Sequence, residues 1–464
     1  MSVTARNRAA GALLSLATTL SLFACGGAPN EPLGSDKVDT ARGTLIITLH
    51  MSGNSVDFDG ITVNAGGNQA DPTPGNPVTF TLSPGPYVVT LTGVADHCAL
   101  ATRNMEPIIV ANKTDTLNVE VACIGGLAYV AKAGPAEFQL RYLGENGRTV
   151  QLTSTQGRLA ILGWSPDGQR VLFSNDADGH AHLYSVQRDG AGQLQLTTGT
   201  TDDSRARYSP DGARIAYTAR NLAAATTSVV VMNADGSGSH TIPAAMDPAW
   251  SADGSQLFFS CSASGHSSLC TSAADGSGVR AITVPAIEAL YAECTTGSSS
   301  ACGAPAPQSW DVSPDGRKLS FTTSRSPSLG PQSVWTSAID GLGAKVVAPT
   351  GIISFSAQWA PTSDWMALGV FPVDPGAVPF GSSVGAGVST VKPDGTSYHM
   401  LSPSWTINDQ TPAIAPDGTL IAFVNGNNIL VMNPDGTGRH DIARGTLSQP
   451  VWNPTTKPGG PFAQ

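Results

Sequence analysis

From residue 43 onward the apolar positions fall in short, often alternating runs, and nowhere do they hold the 3.6-residue spacing of an amphipathic helix. Four of these runs, TLIITLH, VTFTL, YVVTL and TLNVEVAC, are separated by clusters of Gly, Pro, Asn and Asp, and predict a small all-β module over residues 43–125. In the last run Leu117, Val119, Val121 and Cys123 alternate and so share one face of a strand. That face is the core, which places Cys123 inside and makes Cys98 its expected disulfide partner. A closed loop of this kind contributes about 3 kcal/mol, a useful addition to the thin core of so small a module.

After residue 125 one phrase recurs. It reads WSPDGQRVLF from Trp164, YSPDGARIAY from Tyr208, WSADGSQLFF from Trp250, DVSPDGRKLSF from Asp311, WAPTSDWMALG from Trp359 and IAPDGTLIAF from Ile414, with a truncated WNP at Trp452. The early copies lie about 40–45 residues apart, the period of a four-stranded propeller blade. Ser-Pro-Asp-Gly suits a type I turn: Pro presets φ, Asp accepts the bridge conformation and Gly relieves the last position. With strand-like residues on both sides, the phrase reads as an innermost strand, a tight turn and a second strand. A second turn recurs at Asp189, Asp235, Asp275, Asp340, Asp394 and Asp435, each followed by Gly, with Asn146-Gly147 as a variant. Seven turns match seven inner phrases. GLAYVAK from Gly126 is a second strand lacking its inner neighbour, and Trp452-Asn453-Pro454 is an inner strand lacking its partners. Joined, they complete one blade and remove the open edges of the sheet array. The fold class expected is all-β: a seven-bladed β-propeller over residues 126–464, with six blades as the alternative, preceded by a small β-sandwich over residues 43–125.

These phrases resemble the TolB-type, WD-repeat-like β-propellers of bacterial envelopes. The resemblance implies that the repeated Asp residues shape turns and are not catalytic, and it implies six blades, so seven is a departure. The stretch DFDGITV, LSPGPYVVTLTGVADHC and VEVAC resembles PEGA and carboxypeptidase-regulatory-like modules, Ig-like β-sandwiches that in their families are mostly spacers or adhesion-like units.

The first residues carry an address. Arg6 and Arg8 precede an apolar stretch that ends in Leu22-Phe23-Ala24-Cys25, the layout of an export signal over residues 1–24. The last four residues resemble the lipobox of bacterial lipoproteins, in which the Cys, here Cys25, is lipidated. Gly26 in place of Asp implies outer-membrane sorting. Residues 25–42 read as a lipidated flexible tether. The chain has a formal charge of −10 and no basic patch, which excludes a nucleic-acid footprint. Six cysteines remain after Cys25. Proximity and the strand argument select Cys98–Cys123, Cys261–Cys270 and Cys294–Cys302 among 15 pairings. The absence of C-x2-C spacing sets zinc aside, and disulfides suit an oxidising compartment.

Strand order assigns the loops between second and third strands, and from each fourth strand to the next blade, to one rim. That rim carries the long departures, residues 284–308, 324–332 and 371–387, and the hairpin bracketed by Cys261 and Cys270. Loops on a rigid scaffold are where binding resides. Gly381 to Gly385 matches G-x-S-x-G, but that motif works on a strand-to-helix turn, not in a glycine-rich loop. His180 and His182 are two apart and so share a strand face; with Asp176 and Asp178 they are the weak candidates for a metal. His240, His399 and His440 follow Asp-Gly turns at equivalent places and read as structural. The function expected is a non-catalytic envelope lipoprotein without a cofactor. It is held to the membrane by lipid and binds a protein, peptide or glycan through one propeller rim. The alternatives are a metal-assisted lyase or hydrolase with its site in the propeller mouth, and a propeller like those gating prolyl-oligopeptidase-type peptidases, which carry a hydrolase domain after it.

Overall fold

A computed structural model describes residues 41–53, 61–73, 76–94, 98–100, 105–145, 148–263, 266–296, 307–326, 330–349, 352–372, 385–402, 408–444 and 450–456. Cys25, the Asn146-Gly147 turn, the Cys294–Cys302 pairing and Gly381 to Val384 of the G-x-S-x-G match lie outside what is described.

The first module closes two sheets on one core of Leu45, Ile47, Val63, Phe80, Val89, Val119, Val121 and Cys123. The strand Gly43–Gly53 lies between Val78–Leu82, antiparallel, and Thr114–Cys123, parallel. The parallel pair joins the module's first and last strands, which alternation alone does not reveal. Cys98 and Cys123 sit directly opposite each other in the ladder and are joined by a disulfide.

Between residues 127 and 452 the described residues form seven four-stranded antiparallel sheets. Their inner strands are Leu159–Trp164, Asp202–Tyr208, Ala245–Trp250, Pro307–Val312, Ile352–Trp359 and Asp409–Ile414, with Val451–Trp452 supplying the inner strand of the sheet begun by Leu127–Lys132. Counting that sheet as the first, seven separate apolar clusters each bridge one sheet and the next. The last joins Ala413, Ile429 and Val431 of the seventh sheet to Leu127, Tyr129 and Trp452 of the first. Each sheet is therefore packed against a neighbour on both faces, and the array is a closed β-propeller.

The phrase folds as a lock. Gly168 N donates to Ser165 O at 2.8 Å, Arg170 N to Ser165 Oγ at 2.9 Å and Gln169 N to Asp167 Oδ1 at 3.0 Å. The Ser165 hydroxyl donates to the same carboxylate and, as the largest effect, holds Asp167 below its ordinary pKa. The arrangement repeats at Ser209/Asp211, Ser251/Asp253 and Ser313/Asp315. The aromatic before the lock also has a task. The indole N–H of Trp250 donates to Arg207 O at 3.1 Å, and that of Trp164 to Val451 O at 3.1 Å, so each pins its inner strand to the preceding one. The second set of turns is fixed similarly, Asp235 accepting from Ser237 N at 2.9 Å and Asp435 from Thr437 N at 3.0 Å. His240, His399 and His440 open the outermost strands that follow.

One insertion departs from expectation. Residues 284–308 begin with a helix, Pro285–Thr296, whose Ile287 and Leu290 enter the cluster between the fourth and fifth sheets. Its apolar positions span too few turns to stand out as a helical period, and the packing of Ile287 and Leu290 stabilises it.

Equivalent glycines separate local strain from ring closure. Gly168 and Gly212 occupy the same turn position at φ +66° and +72°. A Cβ on Gly212 meets only Pro166 Cδ at 3.4 Å, whereas one on Gly168 would lie 2.2 Å from Asn453 Oδ1 of the closing segment. Gly212→Ala is expected to lower the unfolding free energy by about 1–2 kcal/mol through the left-handed backbone alone, and Gly168→Ala by at least about 1 kcal/mol more through overpacking. Urea unfolding midpoints of the two variants check this; equal losses would contradict it.

Candidate functional site

Six inner strands carry a described bulge shortly before the lock: in four it spans residues 205–206, 247–248, 309–310 and 411–412, beginning four residues before the first residue of the lock, and in the second and sixth sheets it falls at Leu162 and Phe355. A bulge re-aims the side chains beside it, and of the residues four before each lock Ile161, Arg205, Ser309 and Ser356 line the central cavity. This column reads Ile161, Arg205, Asp247, Ser309, Ser356 and Thr411 along the chain. Arg205, Asp247, Ser309 and Thr411 adopt φ of +56°, +57°, +56° and +51°. For residues with a Cβ that conformation costs on the order of 1–3 kcal/mol each.

Three of these strained residues bind one another across three consecutive sheets. Arg205 Nε lies 3.4 Å from Asp247 Oδ1, and Arg205 Nη1 donates to Ser309 Oγ at 2.8 Å. Ser309 N donates to Asp247 Oδ2 at 3.0 Å, and Asp247 N to Thr218 Oγ1 at 2.8 Å. Two residues further along the same strands, Arg207 Nη1 meets Asp311 Oδ1 at 2.6 Å. A central cavity of about 450 Å3 opens beside them, walled by Trp164, Tyr208, Phe321 and Phe355 as well as Arg205 and Arg207. The lock repeats while the three columns before its aromatic vary from phrase to phrase, and that variation was visible in the sequence. Reading one of those columns as a site required the bulge, which re-aims the side chains beside it.

The two histidines behave differently from expectation. His182 begins the strand His182–Gln187, while His180 belongs to the turn before it, so they do not share a strand face. Their ring centroids are 6.3 Å apart and turn to different carboxylates. His180 Nδ1 lies 3.3 Å from Asp202 Oδ1, and His182 Nε2 lies 3.2 Å from Asp178 Oδ2. Asp176 instead accepts Arg158 N at 2.6 Å. Among the described residues no three His, Cys, Asp or Glu converge as metal ligands. On the same rim, Cys261 and Cys270 are joined across their hairpin.

The other side of His182 faces a buried acid. His182 Nδ1 and Asp203 Oδ2 lie 3.9 Å apart, both without a hydrogen-bond partner. Burial pushes the Asp203 carboxyl above its ordinary value, against the opposing pull of Thr197 and Thr201. Asp409 occupies the equivalent place four sheets on and is satisfied: Arg439 grips it with two hydrogen bonds of 2.7 Å, and Ser402 and Asn425 complete its shell.

Residues 131–289 match the family model of the TolB beta propeller domain. The match spans well under half of the chain. Among solved structures the chain is similar to TolB from Acinetobacter baumannii (14% identity, 70% of this chain and 82% of that one, TM-score 0.41). It is also similar to an oligogalacturonate lyase from Vibrio parahaemolyticus (12%, 69% and 87%, TM-score 0.43). A third is a puromycin-hydrolyzing peptidase from Mycobacterium tuberculosis (12%, 69% and 53%, TM-score 0.45). These proteins differ in what they do, and the likeness selects none of their activities.

Repeat-equivalent acids give opposite expectations. Asp203 is easier to protonate folded than unfolded, so its contribution to stability is present below its ordinary value of 3.8 and lost as pH rises through the raised folded value. Asp203→Asn is therefore expected to be at least as stable as the parent at pH 7, with the advantage shrinking as pH falls. Asp409→Asn leaves Arg439 facing a neutral amide and is expected to lose about 2 kcal/mol or more. Denaturant midpoints at pH 7 and 4.5 check both; equal losses would contradict the reading.

Proposed function

We propose that the protein is a non-catalytic lipoprotein of the bacterial cell envelope whose propeller presents one rim to a protein, peptide or glycan partner. The observation that carries this is the difference between the rims. One is built of short turns, most of them closed by an Asp that accepts from the backbone N–H two residues on. The other holds the disulfide-pinned hairpin at Cys261 and Cys270 and the packed helix Pro285–Thr296, and the connection from the strand Met366–Pro372 to the strand Gly387–Val391 leaves from it. Pinned loops on a rigid ring lower the ordering cost of binding. Inside the ring, Arg205, Asp247 and Ser309 engage one another, and Arg207 engages Asp311. Charges held in mutual contact suit a fixed recognition surface better than proton transfer.

Acylation of Cys25 anchors the chain, and residues 26–42 tether it. The small module, of the PEGA or carboxypeptidase-regulatory-like kind, sets the ring at a distance from the outer membrane. The disulfides fit that oxidising compartment, whether the ring faces the periplasm or the surface.

The test is capture of the mature protein from crosslinked native envelopes, beside a variant with residues 373–384 replaced by a short turn. A partner recovered with the parent and lost from the trimmed variant is the expected result. Recovery of nothing from either, or equal recovery from both, would overturn the rim assignment. Cys25→Ser is expected to release the protein from membranes into the soluble fraction.

A further inference from the structure

A second cavity, of about 470 Å3, opens between the third and fourth sheets. It is lined by Arg205, Arg220, Leu222, Ala225, Met246 and Asp247. Leu222 to Ala225 lie between the second and third strands of their sheet, so the cleft opens on the loop rim. Arg205 lines this cleft and the central cavity alike.

Three independent features meet here. The first is charge. Both oxygens of Asp247 are engaged, by Arg205 Nε and by Ser309 N, while the exposed Arg220 guanidinium has no partner among the described residues. In a chain of formal charge −10 that leaves a locally cationic cleft. The second is apolar exposure. Leu222 is 57% and Met246 38% exposed, side by side with those arginines. The third is backbone strain. Of nine non-glycine residues with positive φ among those described, Arg205, Ala225 and Asp247 all line this cleft. Strain that persists at a surface cleft is held there by the surrounding fold and fixes side-chain directions in advance.

We propose that this cleft binds a peptide segment that presents a carboxylate beside a bulky apolar side chain. The inference rests on the platform reading above and names the chemistry of its partner. A guanidinium fork matches a carboxylate in two parallel hydrogen bonds. Arg220 supplies the free fork, and Arg205, already oriented by Asp247 and Ser309, adds its remaining donors. Leu222 and the adaptable thioether side chain of Met246 cover the neighbouring apolar group. The carboxylate gives orientation, and the apolar contact excludes water around it.

The probe is a fluorescein-labelled pentapeptide of alanine ending in leucine with a free C-terminal carboxylate, compared with the same peptide as its amide, by fluorescence anisotropy on the full mature protein. The acid is expected to bind at least about tenfold more tightly than the amide. Arg220→Glu is expected to remove that preference, Arg220→Lys to restore part of it, and Leu222→Ser to weaken both peptides. Arg220 has no partner to lose, so an unchanged melting temperature accompanies the loss. Equal binding of acid and amide, no binding of either at millimolar peptide, or indifference to Arg220→Glu would each overturn the assignment. Displacement of the acid peptide by laurate together with equal affinity for acid and amide would reassign the cleft to a lipid. If envelope capture still yields a partner that depends on residues 373–384 while the peptide fails to bind, the platform reading stands and the cleft assignment alone falls.

Discussion

The ring depends on one short contact between chain segments more than 300 residues apart in sequence. Leu127 pairs with Trp452 and Ala128 with Val451. Without that pairing the first sheet lacks its inner strand and the array ends in two open edges. Around it the closing segment repeats the lock in altered letters. Thr456 N donates to Asn453 O at 3.0 Å, as Gly168 N does to Ser165 O, and Thr455 N donates to Asn453 Oδ1 at 3.0 Å. The Trp452 indole donates to Ala413 O at 2.9 Å, and Asn453 Nδ2 to Gly168 O at 2.9 Å, so the segment touches the seventh, first and second sheets at once. Gly126 is required beside it: its φ is +87°, and a Cβ there would fall 2.0 Å from Thr456 Oγ1.

Closure is what gives the inner strands their second function. Because a neighbouring sheet packs on each face of every sheet, the bulged positions cannot relax, and Arg205, Asp247 and Ser309 stay in conformations that an open sheet would release. The polar cluster is thus supported by apolar clusters on either side of it, chiefly those around Trp250, Phe259, Trp310 and Phe321. Stability and site belong to the same constraint.

Much of this was legible in the chain. The repeated Ser-Pro-Asp-Gly phrase carries its turn chemistry in four letters, and the alternation ending in Cys123 carries its burial. The orphan strands at Gly126 and Trp452 carry the closure, because each lacks what the other supplies. Other features depend on facts the letters do not hold. The parallel pairing of Gly43–Gly53 with Thr114–Cys123 is a tertiary choice that leaves the alternation of each strand unchanged. The helix Pro285–Thr296 is fixed by two contacts, Ile287 and Leu290, and not by a long amphipathic period. His180 and His182 looked like a pair because spacing of two implies a common face; the strand begins only at His182, and that single residue of boundary separates them. The column at Arg205, Asp247 and Ser309 was in view throughout, but its meaning required a bulge.

The most direct test of this account is amide hydrogen exchange on the mature protein with and without residues 451–464. If one closing strand holds the whole ring, its removal will strip protection from inner strands far from the cut, including Ala245–Trp250 and Pro307–Val312, together with the first sheet. Loss of protection confined to residues 127–156, with the inner strands of the fourth and fifth sheets unchanged, would show that the sheets stand without closure and would contradict it.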